Sequence, residues 1–275
     1  VESHGGKSGF RVLRTGSSAY EMRLGLIRAS ERTLDLQYYS MHDDLTGNLL
    51  LEAVLRAAER GVRIRMLIDG VSIDDLQDTL SVLDEFKNIE VRVFNPFATR
   101  DDGIAGPVLN ALTDLDGLNR RMHNKALIAD NQMAIMGGRN LGDEYFEEHT
   151  DVTFRDLDVL AAGPIVADLS KSFDDYWNSE PAVPIAQVER PKRDIELARK
   201  LRAELKASWD KTLATPKGKK LLTGSLSGRV QEADVALMWA HAEVTVHRPH
   251  KIQMNDEEAS SARLRKRNAL LNGAK

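Results

Sequence analysis

The most constraining feature of this chain is a regular alternation of helical and extended signals between about residues 10 and 180. Residues 17–31 read as a helix, with Ser17 or Ser18 as N-cap and Met22, Leu26 and Ile27 on one face. Residues 33–39 alternate as a strand should, with Leu34, Leu36 and Tyr38 on one side and Asp35, Gln37 and Tyr39 on the other. Residues 46–60 carry an apolar stripe of Leu50, Leu51, Val54, Leu55 and Ala58, and Gly61 ends that helix. A strand at 62–68, a helix at 74–86 and a strand at 89–94 repeat the pattern. After a surface stretch with a short helix at 100–118 come a strand at 157–162 and a helix at 164–177, with Pro164 in its first turn. Strands separated by helices of this length predict an α/β fold, a mainly parallel or mixed sheet sandwiched by helices. Such sheets gather ligands at the C-terminal ends of their strands, where Asp69 and Asn95 fall; both also suit a plain cap or turn.

Beyond residue 180 the character changes. Residues 181–192 contain three prolines and read as a linker, and 193–213 form a charged helix with Leu197, Leu201, Leu205 and Leu213 in line. Residues 215–228 are rich in Gly, Lys and Ser. The expected organisation is therefore a catalytic module over residues 10–180, followed by a linker and helical appendage over 181–275. The charged helix suits packing on the module better than lying on lipid.

Composition narrows the chemistry. With no cysteine, thiolate metal sites, disulfides and cysteine nucleophiles are excluded. A net charge of -4 argues mildly against a dedicated nucleic-acid binder, although Arg120, Arg121 and Arg139 could serve any phosphate. No run of 18 apolar residues occurs, so no segment is apolar enough to cross a bilayer as a helix. Gly5-Gly6-Lys7-Ser8 imitates the end of a phosphate-binding loop, but Val1 stands where that motif needs its first glycine. The start at Val1 is expected to reflect a trimmed chain.

The chemistry concentrates in residues 120–146, RRMHNKALIADNQMAIMGGRNLGDEYF. Two apolar runs flank Asp130-Asn131-Gln132, which predicts a β-hairpin. Strand periodicity puts His123 and Lys125 on one face of the first strand. An imidazole beside a fixed ammonium suits attack on a phosphodiester, the histidine as nucleophile and the lysine neutralising oxygens. At the end of the second strand, Gly137 and Gly138 allow close approach of backbone N–H groups to an anion, followed by Arg139 and by Asn140 as a neutral donor. Asp130 falls on the opposite face and is expected to hold the hairpin or pair with a nearby cation. A lone His-X-Lys, or a lone Gly-Gly, signifies little; six residue identities at fixed spacing do not arise by accident.

That spacing, HxKxxxxDxxxxxxGGxN, resembles the signature of the phospholipase D superfamily. The segments QYY at 37–39, ERGVRIRMLIDG at 59–70, IEVRVFNPF at 89–97 and DLDVLAAGPIV at 156–166 are similar to bacterial cardiolipin synthases of the C type. The resemblance implies a phosphatidyl-histidine intermediate on His123, with Lys125 and Asn140 on the phosphoryl oxygens and Asp130 in the catalytic signature. It implies phosphatidylglycerol and a second phospholipid as substrates, a membrane surface as partner, no metal and no cofactor. It also implies a bacterial inner-membrane location, peripheral or anchored by a lost N-terminal segment. An acid orients His123 in such proteins, and Asp156, Asp158 and Glu144 are all candidates, Asp156 aligning best.

The resemblance also implies a second motif, whose histidine protonates the leaving alcohol and activates the incoming one. Only one motif with this spacing occurs here; His247 and His250 lack the accompanying Asp and Gly-Gly-Asn. Two expectations stand: the sequence is the N-terminal half of a two-motif enzyme, or two copies pair across a two-fold axis. A single-motif homodimeric nuclease or phosphodiesterase, and a non-catalytic phosphate- or lipid-binding half, are the alternative functions.

Overall fold

The computed structural model describes residues 4–73, 76–96, 121–146, 154–188, 195–223, 237–245 and 249. The expectations for residues 100–118, Arg120, His247 and His250 lie outside them. The described residues form a nine-stranded sheet from β1 (Ser8–Leu13), β2 (Thr33–Tyr38), β3 (Arg63–Asp69), β4 (Ile89–Phe94), β5 (Ala126–Ala129), β6 (Met133–Gly137), β7 (Asp158–Ala162), β8 (Ala182–Pro184) and β9 (Met238–Ala240). Their spatial order is β8-β4-β3-β2-β5-β6-β7-β1-β9. Only β2 with β3 and β3 with β4 run parallel. Every other neighbouring pair is antiparallel, so the sheet is mixed rather than mainly parallel. The reason is local: helical crossovers join β2 to β3 and β3 to β4, as parallel neighbours require, whereas β5 and β6 are joined directly as a hairpin.

The helices are α1 (Gly16–Ala29), α2 (Leu45–Glu59), α3 (Gln77–Asp84), α4 (Ile165–Trp177), α5 (Ile185–Val188), α6 (Ile195–Leu213) and α7 (Pro216–Thr223). They build a core on each face of the sheet. On one face Leu34, Leu36, Ile64, Met66 and Ile68 meet Met22, Leu26, Ile27 and the Leu50–Val54 stripe. On the other, Leu67, Ile128, Ala134 and Ala161 meet Ile165, Leu169, Phe173 and Trp177 of α4. The expected sandwich is therefore present, and the strand alternation read at Leu34, Leu36 and Tyr38 sets which face each side chain enters.

Several boundaries differ from expectation for identifiable reasons. Thr15, not Ser17 or Ser18, caps α1, its hydroxyl accepting from Ser18 N at 3.1 Å. Asp44 caps α2 by accepting from Gly47 N at 2.9 Å. The proline-rich linker expected at 181–192 instead supplies β8, which pairs with the edge of β4, and then α5. Proline is tolerated at such an edge because it need not donate outward. Residues 216–223 are helical, and Leu221 and Leu222 are buried. The charged helix α6 packs on α2: Leu205 is buried, and Arg202 pairs with Glu52 and with Glu59, the latter at 2.7 Å. Beyond residue 237 a further strand, β9, joins the sheet beside β1.

The β5–β6 turn shows how the hairpin is anchored. Asp130 and Asn131 adopt φ of 52° and 54°, the left-handed region that Asp and Asn tolerate. The Asp130 carboxylate accepts from the backbone N–H groups of Glu31, Arg32 and Thr33 at 2.9, 2.7 and 2.8 Å, locking the hairpin tip to the start of β2. Asp130→Ala is expected to cost about 1–3 kcal/mol, since three donors lose an ionised acceptor. Urea denaturation should show that loss while the His123 chemistry is kept; an unchanged midpoint would remove Asp130 from this anchoring role.

Candidate active site

The site lies where the ends of β2, β3 and β6 meet the segment entering β5. His123 and Lys125 were expected within the strand, but β5 begins at Ala126, and both sit in the preceding extended stretch. They remain together. Lys125 is buried, its Nζ donates to the His123 carbonyl at 2.9 Å, and His123 is exposed. An ammonium has three protons, so a phosphate oxygen can take another.

Tyr39, immediately after β2, completes this pair. Its ring lies 4.9 Å from the His123 ring, and the Lys125 Nζ stands 5.0 Å from the same centroid. The sequence pattern placed Tyr39 on the face of Asp35 and Gln37 without assigning it a role. Its signal was parity: an aromatic residue at the C-terminal end of a central strand.

Electrostatics prepare the two groups differently. Burial lowers the His123 pKa below its ordinary value, the Lys125 charge lowers it further, and Asp156 opposes both. Burial likewise brings Lys125 down to about 8, with Asp156 and Asp69 opposing. At neutral pH this leaves a neutral, nucleophilic imidazole beside an ammonium that is still mostly charged.

The Gly-Gly turn works otherwise than expected. Gly137 N donates to Lys125 O at 3.3 Å and Gly138 N to Leu157 O at 3.2 Å, so neither N–H is offered to an anion. The missing side chains make room for carboxylates instead. A Cβ on Gly137 would stand 2.0 Å from Asp158 Oδ1, and one on Gly138 would stand 2.1 Å from Asp156 Oδ1 and Oδ2. Asp156 is thereby brought over the turn, exposed, with its charge acting on both His123 and Lys125.

The other two candidate acids are engaged elsewhere. Asp158 is fully buried and accepts from Arg23 Nη1 at 2.9 Å and Arg139 Nη1 at 3.3 Å. Glu144 faces His42 at 3.6 Å. Arg139, expected among the substrate-binding residues, is 2% exposed and donates to Asp158, Leu13 O, Arg14 O and Tyr145 O. It fastens the turn from beneath and does not face a ligand. Asp130, placed in the catalytic signature, sits at the opposite end of β5 from Lys125 and anchors the hairpin. Asn140, just past the turn, is held by protein partners: its Oδ1 accepts from Ser40 N at 3.2 Å and its Nδ2 donates to Tyr145 Oη at 3.0 Å.

Two strand-end residues had an open assignment. Asn95 contributes its backbone carbonyl, which accepts from Arg121 Nη1 at 2.8 Å. Asp69 is fully buried and accepts from Met122 N at 2.8 Å, one residue before His123. Among the described residues, His42, Asp44 and Glu144 could ligate a divalent cation, their donor atoms lying within 4.8 Å of one another. Each already has protein partners: Ser40 Oγ lies 2.9 Å from His42 Nε2, and Asp44 accepts from Gly47 N and Asp143 N. Together they tie the loop before α2 to the loop after β6.

A mixed sheet that presents an exposed histidine, a buried lysine and an acid over a Gly-Gly turn defines a half-site of the phospholipase D type. Residues 24–177 match the family described as cardiolipin synthase, phospholipase D-like domain, and the chain belongs to that family. It is 38% identical over 250 residues to cardiolipin synthase C of Escherichia coli K12, an alignment covering 90% of this chain and 51% of that protein. It is 32% identical over 168 residues to cardiolipin synthase A of Pseudomonas fluorescens Pf-5, covering 61% and 33% respectively. The chain thus spans about half of the first relative and a third of the second. The structure of phosphatidylserine synthase from Haemophilus influenzae Rd KW20 shares the fold, with a TM-score of 0.50 and 15% identity over 78% of this chain and 47% of that one.

Proposed function

We propose that this chain supplies the nucleophile-bearing half of a phosphatidyltransferase that makes cardiolipin from phosphatidylglycerol and a second phospholipid. The observation that carries the reading is the pairing of a neutral, exposed His123 with the buried Lys125 beneath it. A ring nitrogen of His123 attacks the phosphorus of the donor lipid, forming an N–P bond as the P–O bond to the departing glycerol breaks. Lys125, and the second amide N–H of Asn140, neutralise the phosphoryl oxygens. Asp156 holds the imidazole and compensates the positive charge it gains. The imidazole that protonates the leaving alkoxide, and then takes the proton of the incoming lipid hydroxyl, comes from another module, in the same polypeptide or in a second copy. The products would form at a membrane surface, and the similarity to cardiolipin synthases C and A supports this substrate class.

The nuclease alternative gains nothing from the two described arginines named for it, Arg121 and Arg139. Arg139 is buried in protein contacts, and Arg121 is committed to Asp69 and Asn95. The test is a parallel assay of labelled phosphatidylglycerol vesicles, single-stranded DNA and bis(p-nitrophenyl) phosphate. Lipid is expected to be converted and DNA left intact; turnover of DNA without lipid would overturn the reading. The pH dependence follows from the two groups. Attack needs neutral His123, so adduct formation rises as pH climbs through a value below 6.5. It needs charged Lys125, so the rate falls again as pH passes about 8.

A further inference from the structure

We propose that Asp69 is the positioning residue of this half-site, holding the His123 segment in register from the end of β3 and supplying negative charge towards Lys125. The inference concerns the chemistry proposed above, but its primary readout does not depend on any substrate. Asp69 ends a strand that is separated from β5 by β2. Its Oδ2 accepts from Met122 N at 2.8 Å, and its Oδ1 from Val71 N at 3.0 Å and Arg121 Nη1 at 3.3 Å. From β2, Gln37 Nε2 adds a contact to Met122 Sδ at 3.0 Å. The two residues before His123 are therefore fixed through backbone and side chain to the C-terminal edge of the parallel strands, the edge where such sheets place ligands. Residues 121–125 precede β5, and Gly137 N to Lys125 O is the bond from β6 that reaches into them. Side-chain anchoring from Asp69 supplements it at Arg121 and Met122.

Charge gives the arrangement a second consequence. The groups acting on Lys125 are Asp69 from β3, Asp156 from the segment before β7, the His123 carbonyl on its own segment, and the Tyr39 ring after β2. Arg121 also pairs with Asp69, at 3.3 Å. Burial drives Lys125 towards its neutral form, and only the two carboxylates resist by charge. Asp156 is exposed, whereas Asp69 is fully buried and so is screened little by solvent or salt. An aspartate at this place therefore keeps a phosphate-binding ammonium charged without itself touching the phosphate.

The experiment follows Lys125 directly, by NMR of its side-chain Cε and Nζ in substrate-free protein labelled at lysine. In Asp69→Asn the Lys125 pKa is expected to fall below the native value of about 8. In active preparations the alkaline limb of the pH–rate profile should move with it, costing roughly three- to tenfold at pH 8 and much less at pH 6.5. Asp69→Glu should restore part of the shift. An Asp69→Asn protein that folds, yet leaves the Lys125 titration and the alkaline limb in place, overturns the proposal. Should the variant not fold, the native protein answers: Lys125 should show a second inflection where the Asp69 carboxyl itself titrates, and its absence is equally decisive. Loss of lipid turnover with the native Lys125 behaviour intact would count against the proposed substrate and not against Asp69.

Discussion

Replacing His123 with alanine is expected to lower formation of the covalent lipid adduct by roughly 10⁴-fold or more, because it removes the atom that bonds to phosphorus. The same replacement should leave the fold nearly untouched, within about 0.5 kcal/mol, since the ring is exposed and its aromatic neighbour Tyr39 keeps Lys125. The two effects separate chemistry from stability in a single variant. Adduct is best trapped by denaturing the protein at alkaline pH, where a phosphoramidate bond survives, after mixing with labelled phosphatidylglycerol. A variant that still accumulates adduct within tenfold of the parent would show that the nucleophile lies elsewhere. Binding preserved with no turnover to lose, in the parent as well, would instead favour the phosphate- or lipid-binding alternative.

What the sequence could and could not disclose divides along chain distance. His123, Lys125, Gly137, Gly138 and Asn140 lie in and just outside one hairpin, so spacing was enough to make them candidates for one site. Their surroundings come from far away in the chain: Asp69 meets Met122 across 53 residues, and Arg23 meets Asp158 across 135. The expectation that Asp130 holds the hairpin agrees with its contacts to residues 31–33. Asp156 and Asp158 share a strand face in a two-residue repeat, yet β7 begins at Asp158, so only the second obeys the ladder and turns inward. The glycines illustrate a different limit. Their lack of side chains was rightly read as room for a close approach, but the approaching group is a carboxylate from the next strand, which spacing alone does not reveal. The fold class followed from alternation and the β5–β6 hairpin from its turn residues, while the antiparallel places of β1, β7 and β8 did not, because their partners are distant in the chain and no turn joins them.

Asp158 is the residue whose loss should damage the molecule most. Its carboxylate is fully buried between Arg23 and Arg139, which are 1% and 2% exposed. Arg23 Nε also donates to Tyr38 Oη at 3.0 Å, and Arg139 N approaches Asp158 Oδ1 at 3.4 Å. The aspartate pairing and the tyrosine hold the Arg23 guanidinium strongly in its charged form against a large burial penalty. Asp158→Ala would strand two cations in the interior, an error costing roughly 3–5 kcal/mol. That corresponds to a fall in Tm of roughly 6–20 °C for a domain of this size. Asp158→Asn should lose less, since an amide oxygen still accepts from one arginine while the charge is gone. Asp156→Ala, two residues away and exposed, should leave Tm unchanged and act on His123 and Lys125 alone. If thermal denaturation ranked the two aspartates the other way, the acid beneath the turn and the acid above it would have to exchange roles. The ranking matters for the chemistry as well as the fold. Gly137 pairs with Asp158 in the sheet register, so the network that neutralises Arg23 and Arg139 also fixes the backbone on which Asn140 and the space for Asp156 depend.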